Sequence, residues 1–573
     1  MIALAAIAFA VGAIFGSGHH GSPQQGLAEQ FARAWARSDY ATMYGDIDEA
    51  SQRRISASAF AAAYRAAART ATETSIEVVG KARDDGNGAV LVPVHVGTRL
   101  WGTLAESLRV RVGDSPAGSR VMWSHALVFP GLRAGESLTK RTTLPQRAAL
   151  LARDGSVLAD GAANEAGVRN SPLGAAAAAV VGEVGPIPAA QRAELESEGV
   201  PAEAIVGTSG LELALDDRLR GTPGGELLTG GRVLASAPAK PSTAVHTTIS
   251  PAVQRAAVEA LGGQFGGIVA LDPASGEILA VAGIGIDDLQ PPGSTFKMVT
   301  LTAALEAKVA HESTVFPYAT STTLDGVKLE NANGESCGGS LALAFAVSCN
   351  SVFAPLGVKV GAARLVSTAE RFGFNHGPGL EGAVESTLPR AAEIQGELDI
   401  GSTAIGQGQV QASALEMVTI AATIADGGRR PTASFEVSHA TRPRVIGAAT
   451  ARTVRRLMIG VVREGTGTSA AIPGVVVAGK TGTAELGLPR CPSKSEHGSE
   501  SGESGAGEEA EAKQSGEACS SGTKDPRNTD AWFAAFAPAL HPRIAVGVLL
   551  VKDGAGGETA APVAKQVLEA GLR

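Results

Sequence analysis

Strand-like segments from two distant parts of the chain limit the fold of its C-terminal half. Apolar runs at 266–271 and 278–282 flank an Asp-Pro-Ala-Ser-Gly-Glu turn and predict a β-hairpin. Further strand-like runs follow much later, at 474–485, 531–537 and 544–551, with helical patterns between the two groups. Strands at both ends of a domain with helices between them predict an antiparallel sheet covered by helices, not a doubly wound parallel sheet.

A short motif lies between these two groups of strands. Pro-Pro-Gly at 291–293 is followed by Ser294, and Lys297 comes three residues later at the start of an apolar helical run. Proline and serine are typical of a helix N-terminus, and residues three apart on a helix share a face. A serine hydroxyl becomes a nucleophile only beside a base, and a lysine can be that base if burial or another cation lowers its pKa. Alone, this spacing also arises by chance at ordinary helix N-termini.

Two further motifs supply partners for this pair. Ser-Cys-Asn at 348–350 ends an apolar helical stretch, and Lys-Thr-Gly-Thr at 480–483 lies on the predicted strand 474–485. Each motif is common by itself. Their joint occurrence in this order, at a helix start, an element boundary and a strand, favours a nucleophilic serine site over a coincidence of unrelated residues.

Composition and charge narrow the class of protein. A chain of 573 residues is too long for one ordinary core, and roughly two to four domains are expected. A hydrophobic content of 44% with 18% charged residues is typical of a globular protein. The net charge of −8 is uneven, because residues 491–525 hold eight acidic and three basic side chains. The rest of the chain has no basic face suited to nucleic acid, so nucleic-acid binding is disfavoured.

The N-terminal segment is apolar and predicts attachment to a membrane. Residues 2–16 carry no charge, although they are fewer than the roughly 20 residues of a spanning helix. We read residues 1–17 as a membrane anchor or uncleaved signal, with the bulk of the chain exported. A buried core helix is the alternative. The linker that follows contains His19 and His20, which we interpret as part of a solvated spacer and not as a metal site.

A small domain is predicted between residues 24 and 135. Helical patterns are followed there by strand-like runs at 75–81, 89–96, 104–112 and 120–129, which predict a curved sheet around a helix. No catalytic constellation is visible in this part of the sequence. We expect a spacer that holds the distal domain off the membrane, with binding of a glycan or a partner in the cone of the sheet as the alternative.

A second unit of mixed character is predicted between residues 138 and 242. Apolar runs at 148–152 and 157–159 form a hairpin pattern, and a helix is predicted to open at 207–212 and continue through Leu219. The Ala/Pro-rich segment 237–241 is typical of a linker. The sheet domain is therefore expected to begin at residue 245 and to continue to residue 573.

The sheet domain contains a low-complexity insertion and the four cysteines of the chain. Residues 486–528 are rich in Ser, Gly and Glu, which predicts disorder, and they leave the strand that carries the third motif, so they can overhang a cleft there. Cys491 and Cys519 bracket this insertion and form one possible disulfide pair, which would close it in an exported protein. Cys337 and Cys349 form a second possible pair, with Cys349 as a small buried residue as the alternative. The spacing alone does not fix any pairing.

In these three motifs and their order, the chain resembles the penicillin-binding proteins, the serine D,D-transpeptidases of bacterial cell-wall synthesis. The stretches 266–273 and 404–409, and Asp-Ala-Trp-Phe at 530–533, agree with that family. The upstream region resembles class B members of the methicillin-resistance type. The resemblance implies an α+β multidomain protein with a nuclear-transport-factor-like domain at 24–135, a dimerisation-type domain at 138–242 and a transpeptidase domain at 245–573, in which an antiparallel sheet is flanked by helices.

The resemblance also implies the roles of the site residues. The implied catalytic residues are Ser294, Lys297, Ser348, Asn350 and Lys480, and the implied substrate-binding residues are Thr481, Gly482 and Thr483. Ser294 attacks the substrate, Lys297 takes its proton, and Ser348 relays it. Asn350 holds Lys297 and the substrate amide, and Lys480 is the cation that keeps Lys297 neutral. The two threonine hydroxyls bind a carboxylate because alternate strand residues share a face, and the glycine lets the substrate approach.

The same resemblance implies an oxyanion hole made by the backbone N–H groups of Ser294 and Thr483, and no metal or cofactor.

The function predicted in this way is a serine-type D-Ala-D-Ala transpeptidase. It cross-links peptidoglycan stem peptides through an acyl-enzyme and binds β-lactams covalently. The expected partners are stem peptides, β-lactams as inhibitors, the membrane and cell-wall synthesis proteins, and the expected location is the cell membrane, single-pass, with the catalytic domain outside the cytoplasm.

Two other functions share the motifs. A serine β-lactamase needs a water-activating group that the sequence does not identify, and large upstream domains suit it poorly. A β-lactam sensor or inactive scaffold is the other alternative. The complete set of motifs argues against an inactive scaffold, and the single candidate membrane segment argues against a sensor with several spanning helices.

Overall fold

The computed structural model describes residues 22–115, 118–437, 440–485 and 528–573. The predicted anchor at 1–17, nearly all of the predicted insertion and the pair Cys491 and Cys519 lie outside the described residues. The described residues divide into two compact units. The first takes the described residues within Met1–Ala148, Gly185–Val206 and Asp217–Thr243, and the second takes those within Ala149–Val184, Gly207–Asp216 and Ala244–Arg573. The segment 138–242 thus contributes to both units.

Helices and strands are numbered in chain order. Those up to residue 148 are α1 (Pro23–Ala36), α2 (Tyr40–Asp46), α3 (Glu49–Arg54), α4 (Ala57–Thr70), β1 (Glu73–Val78), β2 (Arg83–Asp84), β3 (Val90–Thr98), β4 (Gly102–Val110), β5 (Val112–Ser115), β6 (Gly118–Val121) and β7 (Leu138–Thr143). Those between 149 and 243 are β8 (Leu150–Leu151), β9 (Val157–Ala163), β10 (Arg169–Asn170), α5 (Ala175–Val181), β11 (Val184–Pro186), α6 (Arg192–Ser197), β12 (Ile205–Gly207), α7 (Gly210–Ala214), α8 (Asp216–Leu219), β13 (Gly224–Thr229) and β14 (Arg232–Ala237).

The remaining elements belong to the second unit. They are β15 (Val245–His246), α9 (Pro251–Leu261), β16 (Gly266–Leu271), β17 (Ile278–Gly283), α10 (Lys297–Glu306), β18 (Val315–Ala319), β19 (Ser321–Leu324), β20 (Val327–Glu330), β21 (Cys337–Ser340), α11 (Leu341–Ala346), α12 (Asn350–Val360), α13 (Ala362–Phe372), α14 (Gly396–Ala404), α15 (Ala414–Ala425), α16 (Ala448–Glu464), β22 (Ala478–Glu485), β23 (Thr529–Ala537), β24 (Ile544–Leu550) and α17 (Ala560–Leu572).

The first unit has helices packed on an antiparallel sheet, as the sequence predicts. Strand β3 pairs with β1, β2 and β4, and alternate β3 residues from Val90 to Val96 point into the core. Helix α1 packs on β1 and β3 through Phe31 and Trp35, because its apolar residues recur at helical spacing on one face. The aromatic side chains of Phe60 and Tyr64 on α4 complete this core.

The second unit is built on an antiparallel sheet of order β17-β16-β24-β23-β22, which confirms the predicted sheet with strands from both ends of the domain. Successive residues of β24 face helices on opposite sides of the sheet, because side chains alternate along a strand. Val546 and Val548 share a cluster with α9 and α17 residues such as Val567, whereas Gly547 faces Val418 on α15. The sheet is therefore covered on both faces, and β22 is an edge strand of the described part of the sheet.

Predicted and observed elements differ at several of their ends, and three of these differences are the clearest. The strand expected from 474 begins at Ala478, because Gly474 at φ +75° forms a tight turn first. The strand expected at 120–129 ends at Val121 and is followed by a 3-10 turn. The helix expected to continue through Leu219 is split, because the Asp216 carboxylate accepts a hydrogen bond from the Gly207 N–H and a new helix starts there.

Within the described residues, no single helix has the length and apolarity needed to cross a membrane. One pair of helices, α12 and α13, meets the length and composition together, with a bend of 99° between them.

A buried ion pair ties β10 to α7 within the second unit. Arg169 Nη1 lies 2.9 Å from Glu212 Oε1, and the two side chains are 1% and 0% exposed. The Arg169 Nε–H also donates to the Gly161 carbonyl. A buried charge that loses its partner is strongly destabilising, so this pair holds β10 and α7 together.

We predict that Arg169→Met lowers the free energy of unfolding by about 3–5 kcal/mol, because Glu212 is left without its buried guanidinium. Urea unfolding followed by circular dichroism measures this change. The matched control is Arg463→Met, which removes one member of an ion pair whose side chains are 70% and 58% exposed and should change stability by no more than about 0.5 kcal/mol. Equal effects of the two substitutions would contradict the prediction.

Candidate active site

The predicted nucleophile lies on a tight turn that precedes α10. Gly293–Phe296 forms a 3-10 turn, so Ser294 precedes the α-helix and Lys297 is the first residue of it. In a 3-10 turn residues three apart are eclipsed, which brings the two side chains together. Lys297 Nζ lies 3.0 Å from Ser294 Oγ. Gly293 has φ +51°, and a Cβ there would lie 2.8 Å from the Thr483 carbonyl, so a glycine is required at this position.

The second motif surrounds the Lys297 amine. Ser348 lies between α11 and α12 in a left-handed conformation with φ +59°, and Asn350 is the first residue of α12. Lys297 Nζ donates to the Ser348 carbonyl and to Asn350 Oδ1, both at 2.7 Å, and lies 3.2 Å from Ser348 Oγ. The Lys297 side chain is fully buried. These contacts aim the amine at Ser294.

The third motif brings a second buried lysine to the same serine. Lys480 on β22 donates from Nζ to Ser348 Oγ and to the Thr481 carbonyl, both at 2.9 Å. Ser348 Oγ therefore lies within hydrogen-bond distance of both lysine Nζ atoms. A continuous chain of contacts runs from Ser294 through Lys297 and Ser348 to Lys480. Such a chain can carry a proton.

Burial determines the charge of this lysine pair. Burial and the nearby Lys480 cation hold the pKa of Lys297 well below its usual range. Burial alone lowers the pKa of Lys480 to about 7. The oxygens that contact the two Nζ atoms are hydroxyl, carbonyl and amide oxygens, which carry no formal charge. Lys297 is therefore the group that gives up its proton first and can serve as a base.

The two threonines of the third motif border the same cleft. Thr481 Oγ1 lies 2.5 Å from Thr466 Oγ1, and Thr483 Oγ1 accepts a hydrogen bond of 3.3 Å from the Gly556 N–H. The side chain of Thr466 is exposed at the edge of the site. Three hydroxyls thus lie on the β22 side of the site, in an arrangement that can bind a carboxylate.

Gly482 has a packing role in addition to the predicted access for substrate. A Cβ at this position would lie 2.7 Å from the Pro292 carbonyl and 2.9 Å from Trp532 Cβ. The glycine thus lets β22 approach the turn that carries Ser294.

All eight predicted residues converge on this one site, and sequence reasoning missed two neighbours. Thr466 and Gly556 contact Thr481 and Thr483, as described above. A Gly-Thr-Gly turn after a helix was the one sequence signal for Thr466, whereas the Gly556 contact depends on how two chain segments meet. In the described ranges, no group of three or more His, Cys, Asp or Glu side chains is placed so that it could hold a metal ion.

The chain matches known proteins along most of its length. Family models match it for the penicillin binding protein transpeptidase domain over residues 266–503, the penicillin-binding protein dimerisation domain over 160–242 and the NTF2-like N-terminal transpeptidase domain over 23–136. It is 33% identical to the peptidoglycan D,D-transpeptidase PbpA of Mycobacterium tuberculosis over 57% of this chain and 72% of that protein. It is 25% identical to the peptidoglycan D,D-transpeptidase MrdA of Haemophilus influenzae over 64% of this chain and 62% of that protein.

Solved structures show the same likeness. The D,D-transpeptidase domain of a peptidoglycan glycosyltransferase from Eggerthella lenta superposes with a TM-score of 0.55 and 30% identity, covering 74% of this chain and 98% of that one. Penicillin-binding protein A from M. tuberculosis, as a ceftriaxone acyl-enzyme complex, superposes with a TM-score of 0.55 and 28% identity, covering 75% of this chain and 98% of that one.

The buried Lys480 predicts how stability depends on pH. Its pKa is about 7 in the folded protein against an ordinary value of 10.5. Between these values the unfolded chain binds a proton that the folded chain lacks, so the free energy of unfolding rises with pH, by up to about 1.4 kcal/mol per unit. We predict that Lys480→Met is more stable than the wild type at pH 7 and that the difference narrows towards pH 9.

Thermal and urea unfolding across this pH range measure the difference. Lys359→Met, at an exposed position of α12, is the control and should run parallel to the wild type. If the Lys480→Met curve also runs parallel to that of the wild type, burial does not lower the pKa of Lys480 and the prediction is wrong.

Proposed function

The chain belongs to the class B penicillin-binding proteins, the peptidoglycan D,D-transpeptidases, and we propose that Ser294 is the nucleophile with which it cross-links stem peptides. The architecture is that of an NTF2-like domain, a dimerisation domain and a transpeptidase domain, for which we propose the limits 24–135, 138–242 and 245–573. The observation that carries the assignment of Ser294 is the fully buried Lys297 amine 3.0 Å from its Oγ.

Acylation begins with proton transfer from Ser294 to Lys297. Ser294 Oγ attacks the carbonyl between the two D-Ala residues of a stem peptide, and Lys297 Nζ takes the hydroxyl proton. Ser348, in contact with both lysines, passes a proton to the nitrogen of the terminal D-Ala as the peptide bond breaks. The terminal D-Ala leaves, and the acyl-enzyme remains. The amine of a second stem peptide then attacks the ester carbonyl, forms the cross-link and frees Ser294.

Lys480 has two roles in this scheme. Its positive charge disfavours a second charge on Lys297, which keeps that amine neutral before the reaction. The same charge attracts the terminal carboxylate of the substrate, which the hydroxyls of Thr481 and Thr483 also bind. Because a carboxylate favours the charged form of a nearby lysine, substrate binding reinforces the protonated state of Lys480 and hence the neutral state of Lys297.

The edge strand β22 supplies the remaining contacts. We assign the oxyanion hole to the backbone N–H groups of Ser294 and Thr483, which belong to the two segments that meet at Gly293. An edge strand offers free main-chain groups to an extended peptide, so a stem peptide can bind alongside β22 with its scissile bond at Ser294.

We further propose that the protein works at the cell membrane with its catalytic domain outside the cytoplasm. The apolar residues 2–16 suit a single-pass anchor, and the disulfide between Cys337 and Cys349 suits an exported domain because cytosolic proteins rarely keep disulfides. Cell-wall synthesis proteins in the membrane are the partners that this location favours.

We predict that fluorescent penicillin labels the exported domain at Ser294 and that the adduct persists for many catalytic turnover times. Ser294→Ala should abolish labelling, because it removes the hydroxyl that attacks the β-lactam carbonyl. Ser367→Ala, at an exposed position of α13, is the control and should label like the wild type. Rapid loss of the label would favour a serine β-lactamase, and an unlabelled wild type would exclude the acyl-enzyme mechanism.

Thr466 is predicted to contribute to binding of the carboxylate through its contact with Thr481. Thr466→Val removes one hydroxyl and should weaken the non-covalent complex with penicillin about five- to tenfold, which corresponds to the loss of one hydrogen bond of about 1–1.5 kcal/mol. The limiting acylation rate should change less. Stopped-flow acylation separates the two constants, and Thr468→Val, which changes an exposed threonine two residues away, is the control. If Thr466→Val and the control have equal dissociation constants, Thr466 does not contribute to binding of the carboxylate.

A further inference from the structure

A disulfide lies inside the second catalytic motif. Cys349 separates Ser348 from Asn350 in sequence, and it is bonded to Cys337 at the start of β21. Both cysteines are buried, with exposures of 1% for Cys349 and 8% for Cys337. Cys349 is also the residue that precedes the first turn of α12, where a side chain often caps the helix. Here that side chain forms a covalent bond to a neighbouring strand.

The segment 330–337, which ends at Cys337, contacts three consecutive residues at the start of α12, namely 349, 350 and 351. Cys337 pairs with Ala319 on β18, so its strand is held in a small sheet. Asn350 Nδ2 donates to the Glu330 carbonyl at 2.9 Å. The Ser351 N–H donates to Asn331 Oδ1 at 2.8 Å. The hydrogen bonds at 350 and 351 are therefore accompanied at 349 by a covalent link.

The segment bonded to Cys349 is also held by hydrogen bonds of its own, which the Asn331 side chain makes. Its buried side chain donates from Nδ2 to the carbonyls of Ala319 and Glu335, at 2.7 and 2.9 Å. The Asn331 side chain therefore holds β18 and the segment before β21 together while its Oδ1 receives Ser351. The disulfide adds a covalent bond from this hydrogen-bonded segment to Cys349, the residue between Ser348 and Asn350.

The geometry of Ser348 and Asn350 depends on this attachment. Ser348 adopts a left-handed backbone conformation that a serine rarely adopts and that persists only where surrounding structure imposes it. Its carbonyl and the Asn350 amide oxygen are the two closest acceptors of Lys297 Nζ. A shift of the chain at 349 therefore moves two oxygens that aim the base at Ser294.

We propose that the Cys337–Cys349 disulfide is a positioning element of the active site, so that acylation of Ser294 requires the oxidised cysteine pair. This inference rests on the proposed function of Ser294 and Lys297. Reduction by a dithiol transfers two electrons and two protons, breaks the S–S bond and leaves two thiols, while the dithiol is oxidised to its cyclic disulfide. The hydrogen bonds at 350 and 351 and the pairing of β18 with β21 contain no sulfur, so the reduced region remains folded but is less tightly held.

The experiment uses the full chain with Cys491→Ala and Cys519→Ala, so that its two remaining cysteines are 337 and 349. Thiol titration verifies the oxidised and dithiothreitol-reduced forms. Stopped-flow acylation by fluorescent penicillin gives the limiting acylation rate and the dissociation constant of the non-covalent complex. We expect reduction to lower the limiting rate at least about tenfold and to change the dissociation constant less than about threefold, because misplacement by about 1 Å acts on the reacting geometry. Reoxidation should restore the rate.

A variant and a folding measurement separate positioning from stability. Cys337→Ala/Cys349→Ala in the same background should acylate like the reduced protein and should not respond to dithiothreitol. Near-ultraviolet circular dichroism and thermal unfolding, measured on the same samples, give the folded fraction at the assay temperature. Equal limiting rates for the oxidised and reduced forms would overturn the inference, and so would a loss of rate that matches the unfolded fraction. In both of these cases labelling of the oxidised form leaves the proposed function intact. An oxidised form that is not labelled at all overturns both.

Discussion

The site depends on an electrostatic conflict between two buried lysines. Lys297 and Lys480 are both excluded from solvent, and both contact the hydroxyl of Ser348. Among the described residues, the oxygens that contact them carry no formal charge. Two ammonium groups in this space would therefore repel each other without a carboxylate of the described chain to compensate. Leaving Lys297 neutral removes the conflict. A neutral amine beside a serine hydroxyl is a base, so reactivity follows from the pair and from neither lysine alone.

The lysines meet because three glycines let backbone segments approach closely. A Cβ at Gly406 would lie 2.0 Å from the Gly293 carbonyl, and one at Gly482 would lie 2.7 Å from the Pro292 carbonyl. The turn that carries Ser294 is therefore held between β22 and the segment that follows α14. Any side chain at these positions would separate the segments and lengthen the contacts of Lys297. This packing gives a structural reason for the glycines at 406 and 482, both of which fall in stretches that agree with the family.

Much of the site could be predicted from sequence because its residues belong to short motifs with local geometry. The order of strands and helices also indicated the antiparallel sheet. The rest depended on tertiary contacts that spacing does not encode. The pairing of Cys337 with Cys349, the hydroxyl of Thr466 beside Thr481 and the contact of Gly556 with Thr483 each join segments that meet only in the folded chain. The break between α7 and α8 was missed because the Asp216 carboxylate accepts a hydrogen bond from Gly207, nine residues earlier, and the helical pattern does not show this contact.

The three motifs differ in whether the sheet holds them in place, and the disulfide lies in the one that is not packed on a strand through its backbone. Lys480 is fixed by the pairing of β22 with β23, and the turn of Ser294 is packed against that strand. Ser348 belongs to no strand. It lies between α11 and α12, in a backbone conformation of the kind that costs of order 1–3 kcal/mol. A disulfide at 349 restrains the one part of the catalytic geometry that the sheet does not fix.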